Sequence, residues 1–128
     1  MEHEAVGMFE VKLTPVGAAG APIGGMAIEK TFFGDLEGAS VGQMLAFRSQ
    51  VKGSAGYVAM ERVTGTIGGR TGAFTLQHSG TMDKGAQSLS VTVVPDSGTD
   101  GFLGLTGRME IAVDAGKHEY RFWYEFPV

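Results

Sequence analysis

The sequence predicts an all-β protein, a single eight-stranded antiparallel β-barrel spanning residues 1–128. Three observations carry that expectation. Apolar and polar residues alternate along nearly the whole chain, and helical periodicity is almost absent. The 21 glycines fall mostly where alternating segments stop or bend, as at Gly98, Gly101, Gly104 and Gly107 in SGTDGFLGLTGR. Short turn signatures separate consecutive strands, which imposes antiparallel pairing, and glycine kinks let such a sheet curl into closure.

The first strand is expected at 6–15, where Phe9, Val11 and Leu13 alternate with Glu10, Lys12 and Thr14. A longer connection, GAAGAPIGG at 17–25, leads to strands at 25–33 and 36–49. Read as a two-residue turn, Gly34-Asp35 places Met26, Ile28, Lys30 and Phe32 on one face with Glu37, Ala39, Val41, Gln43, Leu45 and Phe47, and leaves Ser40 outside. Strands at 55–67 and 72–82 meet at Gly68-Gly69-Arg70-Thr71. A loop of two or four residues there aligns Tyr57, Ala59, Glu61 and Val63 with Phe74, Leu76, His78 and Gly80; a three-residue loop would separate Glu61 from His78. The Lys84-Gly85 turn extends this face to Leu89, Val91 and Val93 in a strand at 87–95. Residues 96–106 form the second long connection, with room for one 3₁₀ turn. The last two strands, 107–114 and 117–127, turn at Ala115-Gly116, which joins Met109, Ile111 and Val113 to His118, Tyr120, Phe122 and Tyr124. The inward face is therefore mostly apolar, with Glu37, Glu61 and His78 set into it.

Composition excludes several function classes. A net charge of −4 without any Lys/Arg cluster argues against nucleic acid and against anionic membranes. No window approaches the roughly 18–20 apolar residues of a membrane-spanning helix, and MEHEAVG lacks the basic and apolar regions of a signal peptide. The expected location is cytoplasmic. With no cysteine, the chain has no disulfide, thiolate metal ligand or thiol nucleophile, which fits a reducing compartment.

Local motifs carry little chemistry. Gly38-Ala39-Ser40-Val41-Gly42 matches a nucleophile elbow by letter, but it lies within an alternating strand instead of a strand-to-helix turn. Gly80–Gly85 has the spacing of a phosphate loop without its lysine, and no two glycines stand two apart as dinucleotide binding requires. His3 lies in a terminal segment expected to fray and His118 beside a turn, so no metal site is expected, and no cofactor. Glu61 with His78 is the best candidate pair: burial raises a carboxyl pKa while an imidazolium lowers it, a tension found at acid–base sites. The same two residues also suit a merely satisfied polar pair, with Lys30, Arg62 or Arg70 as further partners of Glu61. Tyr57, Tyr120 and Tyr124 offer phenolic donors, and Glu37, Glu61, His78, Tyr120 and Tyr124 together form the expected ligand-binding set. Trp123 and Met60 alternate outward, which leads to an expected homo-oligomer.

The runs FFGDLEG (Phe32–Gly38), MERVTGTIGGRTGAFTLQHSGTM (Met60–Met82) and VVPDSGTDGFLGLTGRMEI (Val93–Ile111) resemble the bacterial domain of unknown function family 3224. More distantly, the glycine-rich segments resemble those of the allene oxide cyclase and dirigent barrels. The resemblance implies an eight-stranded barrel with a small apolar cavity and brings no assigned activity. Three readings of function remain open. The barrel binds a small hydrophobic molecule in its lumen, or it is a cofactor-free isomerase or cyclase of the allene oxide cyclase kind, or it is a packed scaffold without a ligand.

Overall fold

Pairing begins with the hairpins, because three of the four tight turns carry residues that accept positive φ. Gly68-Gly69, Lys84-Gly85 and Ala115-Gly116 each have both central φ values between 50° and 93°, the handedness that matches strand twist in a two-residue hairpin. The computed structural model describes residues 1–127. They form β1 (His3–Val16), β2 (Gly24–Gly34), β3 (Leu36–Arg48), β4 (Ala55–Ile67), β5 (Arg70–Asp83), β6 (Ala86–Val93), β7 (Thr99–Asp100), β8 (Thr106–Asp114) and β9 (Lys117–Glu125), with no helix among the described residues. Each long strand pairs antiparallel with its sequence neighbours, and β1 pairs with β9, so eight strands close into an up-and-down barrel. The two-residue strand β7 is an addition that pairs with β5 at Gly72 and Ala73.

The register follows the sequence for most of the wall. Tyr57, Ala59 and Val63 lie opposite Gly80, His78 and Phe74, and His78 lies opposite Val91. Met109, Ile111 and Val113 lie opposite Phe122, Tyr120 and His118. One corner differs. Asp35 alone separates β2 from β3, and Phe32 lies opposite Gly38, not Glu37. The slip of one residue turns Ala39, Val41, Gln43, Leu45 and Phe47 outward with Glu37, and brings Ser40 inside. Tyr120 explains the slip: its hydroxyl donates to Phe33 O at 2.9 Å and accepts from Leu36 N–H at 2.9 Å, while Gly34 takes a φ of 102°. Asp35 is tied outward to β1 through its backbone N–H to Val6 O and through Val6 N–H to its carboxylate. Leu36 then points into the core.

The barrel is filled at the end where β4 turns into β5. There Phe74 stacks on Phe122 at 5.6 Å, with Phe102 edge-on at 5.3 Å. Phe102 and Leu105 come from the 96–106 connection, whose consecutive turns are closed by Phe102 N–H to Thr99 O and Leu105 N–H to Phe102 O. This connection therefore plugs the barrel. His3, placed by sequence in a frayed end, lies in β1 opposite Tyr124 and stacks on it at 5.3 Å. The seam between β6 and β8 is the thinnest in the wall, with Thr92 opposite Arg108 as its ladder pair.

Truncating Phe74, which is fully buried between two rings, should cost about 3–5 kcal/mol. Urea unfolding of Phe74→Ala should show this as a lower midpoint at unchanged slope. An effect within about 0.5 kcal/mol, typical of a surface site, would contradict the packed end.

Candidate functional site

The middle of the lumen holds a polar cluster built from four adjacent strands. Glu61 enters from β4, Ser40 from β3, Lys30 from β2 and His78 from β5. Local pairing explains the reach. Gly42 lies opposite Glu61 and Ser40 lies opposite Lys30, so two small residues of β3 let the Glu61 carboxylate cross that strand to the Lys30 ammonium. His78 is diagonal to Glu61 across the β4–β5 pair, because Leu76 occupies the position directly opposite.

The other three groups converge on the Glu61 carboxylate. Lys30 Nζ donates to Oε1 at 3.1 Å, Ser40 Oγ to Oε2 at 2.5 Å, and His78 Nε2 lies 2.8 Å from Oε1. The Glu61 side chain is fully buried, and those of Lys30 and His78 are 8% and 4% exposed. Burial alone pushes the Glu61 carboxyl up. The His78 hydrogen bond, the Lys30 charge, the Ser40 hydrogen bond and the His78 charge together hold it below the ordinary glutamate value. Glu61 is therefore an anion with only acceptors, and His78 Nε2 must carry the proton it donates. The Lys30 ammonium lies 4.5 Å from the centre of the Phe9 ring, a second favourable contact for its charge.

His78 Nδ1 has no hydrogen-bond partner among the described residues, and none of their buried side-chain nitrogens or oxygens lacks a partner, so Nδ1 is not fully sealed from solvent. Beyond the cluster the barrel opens into a cavity of about 370 Å³ lined by Met44, Tyr57, Gly80, Leu89, Ile111 and Val113 among others. Tyr57 leans across β5 here, and only a glycine at position 80 allows it: a β-carbon there would meet the ring at 2.5 Å. The Tyr57 hydroxyl has no partner among the described residues, and burial, then the Glu61 charge, raises its pKa, so it remains a donor.

The structure brings together Glu61 and His78 as the sequence predicts, and separates them from the other three. Glu37 is exposed on the outside, through the slipped β2–β3 corner. Tyr120 is consumed by that same corner. Tyr124 lies at the filled end, stacked on Phe122 at 5.4 Å. Residue parity assigns a face of the sheet but not a height along the barrel, so both tyrosines share the inward face yet miss the cluster. Ser40, outward on the expected register, lies inside opposite Lys30, and Lys30 is one of the partners of Glu61 that the sequence offers; the pairing of small residues with Lys30 across β2 and β3 is the signal that the observed register exposes. The three histidines do not converge, and no group of three or more metal-ligating side chains occurs among the described residues. A second concavity, about 680 Å³, lies on the outer face of β3–β4–β5 between Val41, Leu45, Val58 and Met60. Trp123 is half-buried under the Arg108 guanidinium, 4.1 Å from its ring centre.

Because the folded Glu61 value is depressed, its contribution to stability is complete above the unfolded glutamate value and is lost as pH falls through the folded one. Wild-type protein should lose stability below about pH 4.3 more steeply than Glu61→Gln. At neutral pH that variant, which strands the buried Lys30 charge, should be destabilised by about 3–5 kcal/mol. Denaturant midpoints measured across this range test both parts, and parallel curves would contradict the buried anion.

No curated protein matches the chain. A crystal structure at 1.84 Å resolution of a protein of unknown function from the DUF3224 family of Shewanella oneidensis MR-1 is similar over 100% of both chains, with 44% identity and a TM-score of 0.93. Neither this match nor the family model carries an allene oxide cyclase or dirigent name. The family model described as "Protein of unknown function (DUF3224)" matches residues 5–124, and the chain therefore belongs to the DUF3224 family.

Proposed function

We propose that the open half of the lumen binds a small, largely apolar molecule with one polar group. The observation that carries this reading is a buried Lys30–Glu61–His78 cluster beneath an apolar-walled cavity into which Tyr57 presents an unpaired hydroxyl. Burying ions is costly and is rarely the cheapest way to fill a core. A concave, mostly apolar site with a polar group such as the Tyr57 hydroxyl in its wall is what orients a ligand. The packed end supports the reading by confining the space to one half of the barrel, since aromatic residues already occupy the other.

A second copy of the chain is the partner proposed for the outer β3–β4–β5 face. Val41, Leu45, Val58 and Met60 are each about half or more exposed there, among the uncharged Gln43 and Gln77. Arg62, the charge on this face, is already committed to Thr75 Oγ1 and Ser97 O. A nearly uncharged apolar patch opposes a copy of itself across a two-fold axis without like-charge repulsion.

A panel of small apolar ketones and phenols should contain compounds that raise the melting temperature saturably. Leu89→Trp, which fills the cavity from β6, should abolish that rise while keeping the fold. A panel without any saturable rise, or an unchanged rise in Leu89→Trp, would remove the lumen reading. Light scattering should give a mass above the 13.4 kDa of one chain, returning to it in Met60→Glu; a wild-type monomer at micromolar concentration would rule out self-association.

A further inference from the structure

We infer that the open mouth of the barrel is a docking surface for an anionic phospholipid bilayer. The inference stands apart from the lumen reading, because the rim that meets the lipid is the same whether the cavity is filled or empty. In an up-and-down barrel alternate connections fall at the same end, so 17–23, 49–54, Lys84-Gly85 and Ala115-Gly116 together form the rim opposite the plugged end. Two of them are joined directly: Gly85 N–H donates to Gly53 O and Lys84 N–H to Ser54 Oγ, each at 3.0 Å.

The tips of this rim are apolar. The connection GAAGAPI at 17–23 carries no charge. Val16, Ile23, Phe47, Val51 and Val113 stand in or beside the four connections, each about half exposed or more. Such tips are unfavourable in water and gain free energy on entering the boundary between headgroups and acyl chains. Phe47-Arg48 and Val51-Lys52 each set a cation directly beside an apolar tip, so the long stem follows apolar surface while its charged head reaches the phosphates. The cavity bordered by Ala55, Met82 and Val113 opens at the same rim, and a docked barrel faces its lumen toward the acyl chains.

Charge is segregated along the barrel axis. At the rim the exposed Arg48, Lys52, Lys84 and Lys117 outnumber Asp83 and Asp114. At the plugged end Glu2, Asp35, Asp96, Asp100 and Glu125 are all exposed, with Arg70 the cationic side chain among them. Strands of 13 residues hold the two ends about 30 Å apart, well beyond the roughly 8 Å over which an exposed charge acts at physiological salt. The net charge of −4 therefore does not describe what a surface at the mouth meets. An anionic leaflet attracts the rim and is screened from the acids behind it.

Flotation with vesicles of phosphatidylcholine and phosphatidylglycerol in equal amounts, set against vesicles of phosphatidylcholine alone, tests the rim. Wild-type protein should partition onto the mixed vesicles about tenfold or more tightly than onto the neutral ones, and high salt should release it. Lys52→Glu with Lys84→Glu should weaken that partition about 30-fold or more, and Ile23→Asp about tenfold. All three positions are exposed in connections, so these variants keep the fold. Leu103→Asp, exposed at the plugged end, should float as wild type does. No flotation on the mixed vesicles overturns the inference, as does equal flotation on neutral ones or an equal loss in Leu103→Asp. Wild-type protein that stays off both vesicles, with a mass by light scattering that falls in Ile23→Asp, assigns the rim to a second copy of the chain and overturns the lipid surface.

Discussion

The ionised carboxylate of Glu61, sealed in the centre of the barrel, constrains everything around it. An isolated anion at that depth would cost several kcal/mol, so the fold must deliver compensation from neighbouring strands. It does so from β2 through Lys30, from β3 through Ser40 and from β5 through His78. Each donor requires its own strand register to hold. A one-residue slip of β2 or β3 would turn Lys30 or Ser40 to the outside and leave the anion short of a partner. The cluster thus acts as a register lock on half of the wall, and a lumen charge that would otherwise be a liability also specifies the pairing.

The other half of the wall is specified by rings instead of charges. Phe74, Phe102 and Phe122 pack face and edge at the plugged end, and Tyr120 reaches from β9 to pin the corner between β2 and β3. That division sets the geometry of the site. Filling one end with the 96–106 connection leaves Tyr57 as the aromatic ring in the wall of the cavity at the opposite end. The polar cluster lies further along β4 and β5 than the Tyr57 and Gly80 of the cavity wall, and its depth keeps its charges out of bulk water.

Much of this was legible in the sequence wherever structure is determined by nearby residues. Gly68-Gly69, Lys84-Gly85 and Ala115-Gly116 announce two-residue hairpins by their chemistry, and from them the facing of Glu61 and His78 follows by counting. Gly34-Asp35 looks equally like a hairpin turn, but its geometry is decided by a hydroxyl 84 residues away, between Leu36 and Tyr120. No local pattern reveals that bond. The misplacement of Glu37 and Ser40 follows directly from it. Tyr120 and Tyr124 illustrate a different limit. Alternation tells which face a side chain takes, whereas its level along the barrel depends on the stagger between strands, which closes only when β1 meets β9.

The barrel is also unevenly built in a way that matches the division of labour proposed for it. The strands that supply the charges, β2 to β5, pair along ladders running most of their length. The strands that supply apolar wall from the far side, β6 and β8, meet at the single ladder pair of Thr92 and Arg108. Leu89, Ile111 and Val113 line the cavity on either side of that seam. Precise placement of buried charges demands a rigid support, because a small displacement leaves an ion short of its partner. Apolar walls demand only contact, and a thinly bonded seam opens at lower free-energy cost than a full ladder. The continuous ladders therefore stand behind the residues whose position matters most, and the weak seam borders the residues that need only enclose whatever lies against them.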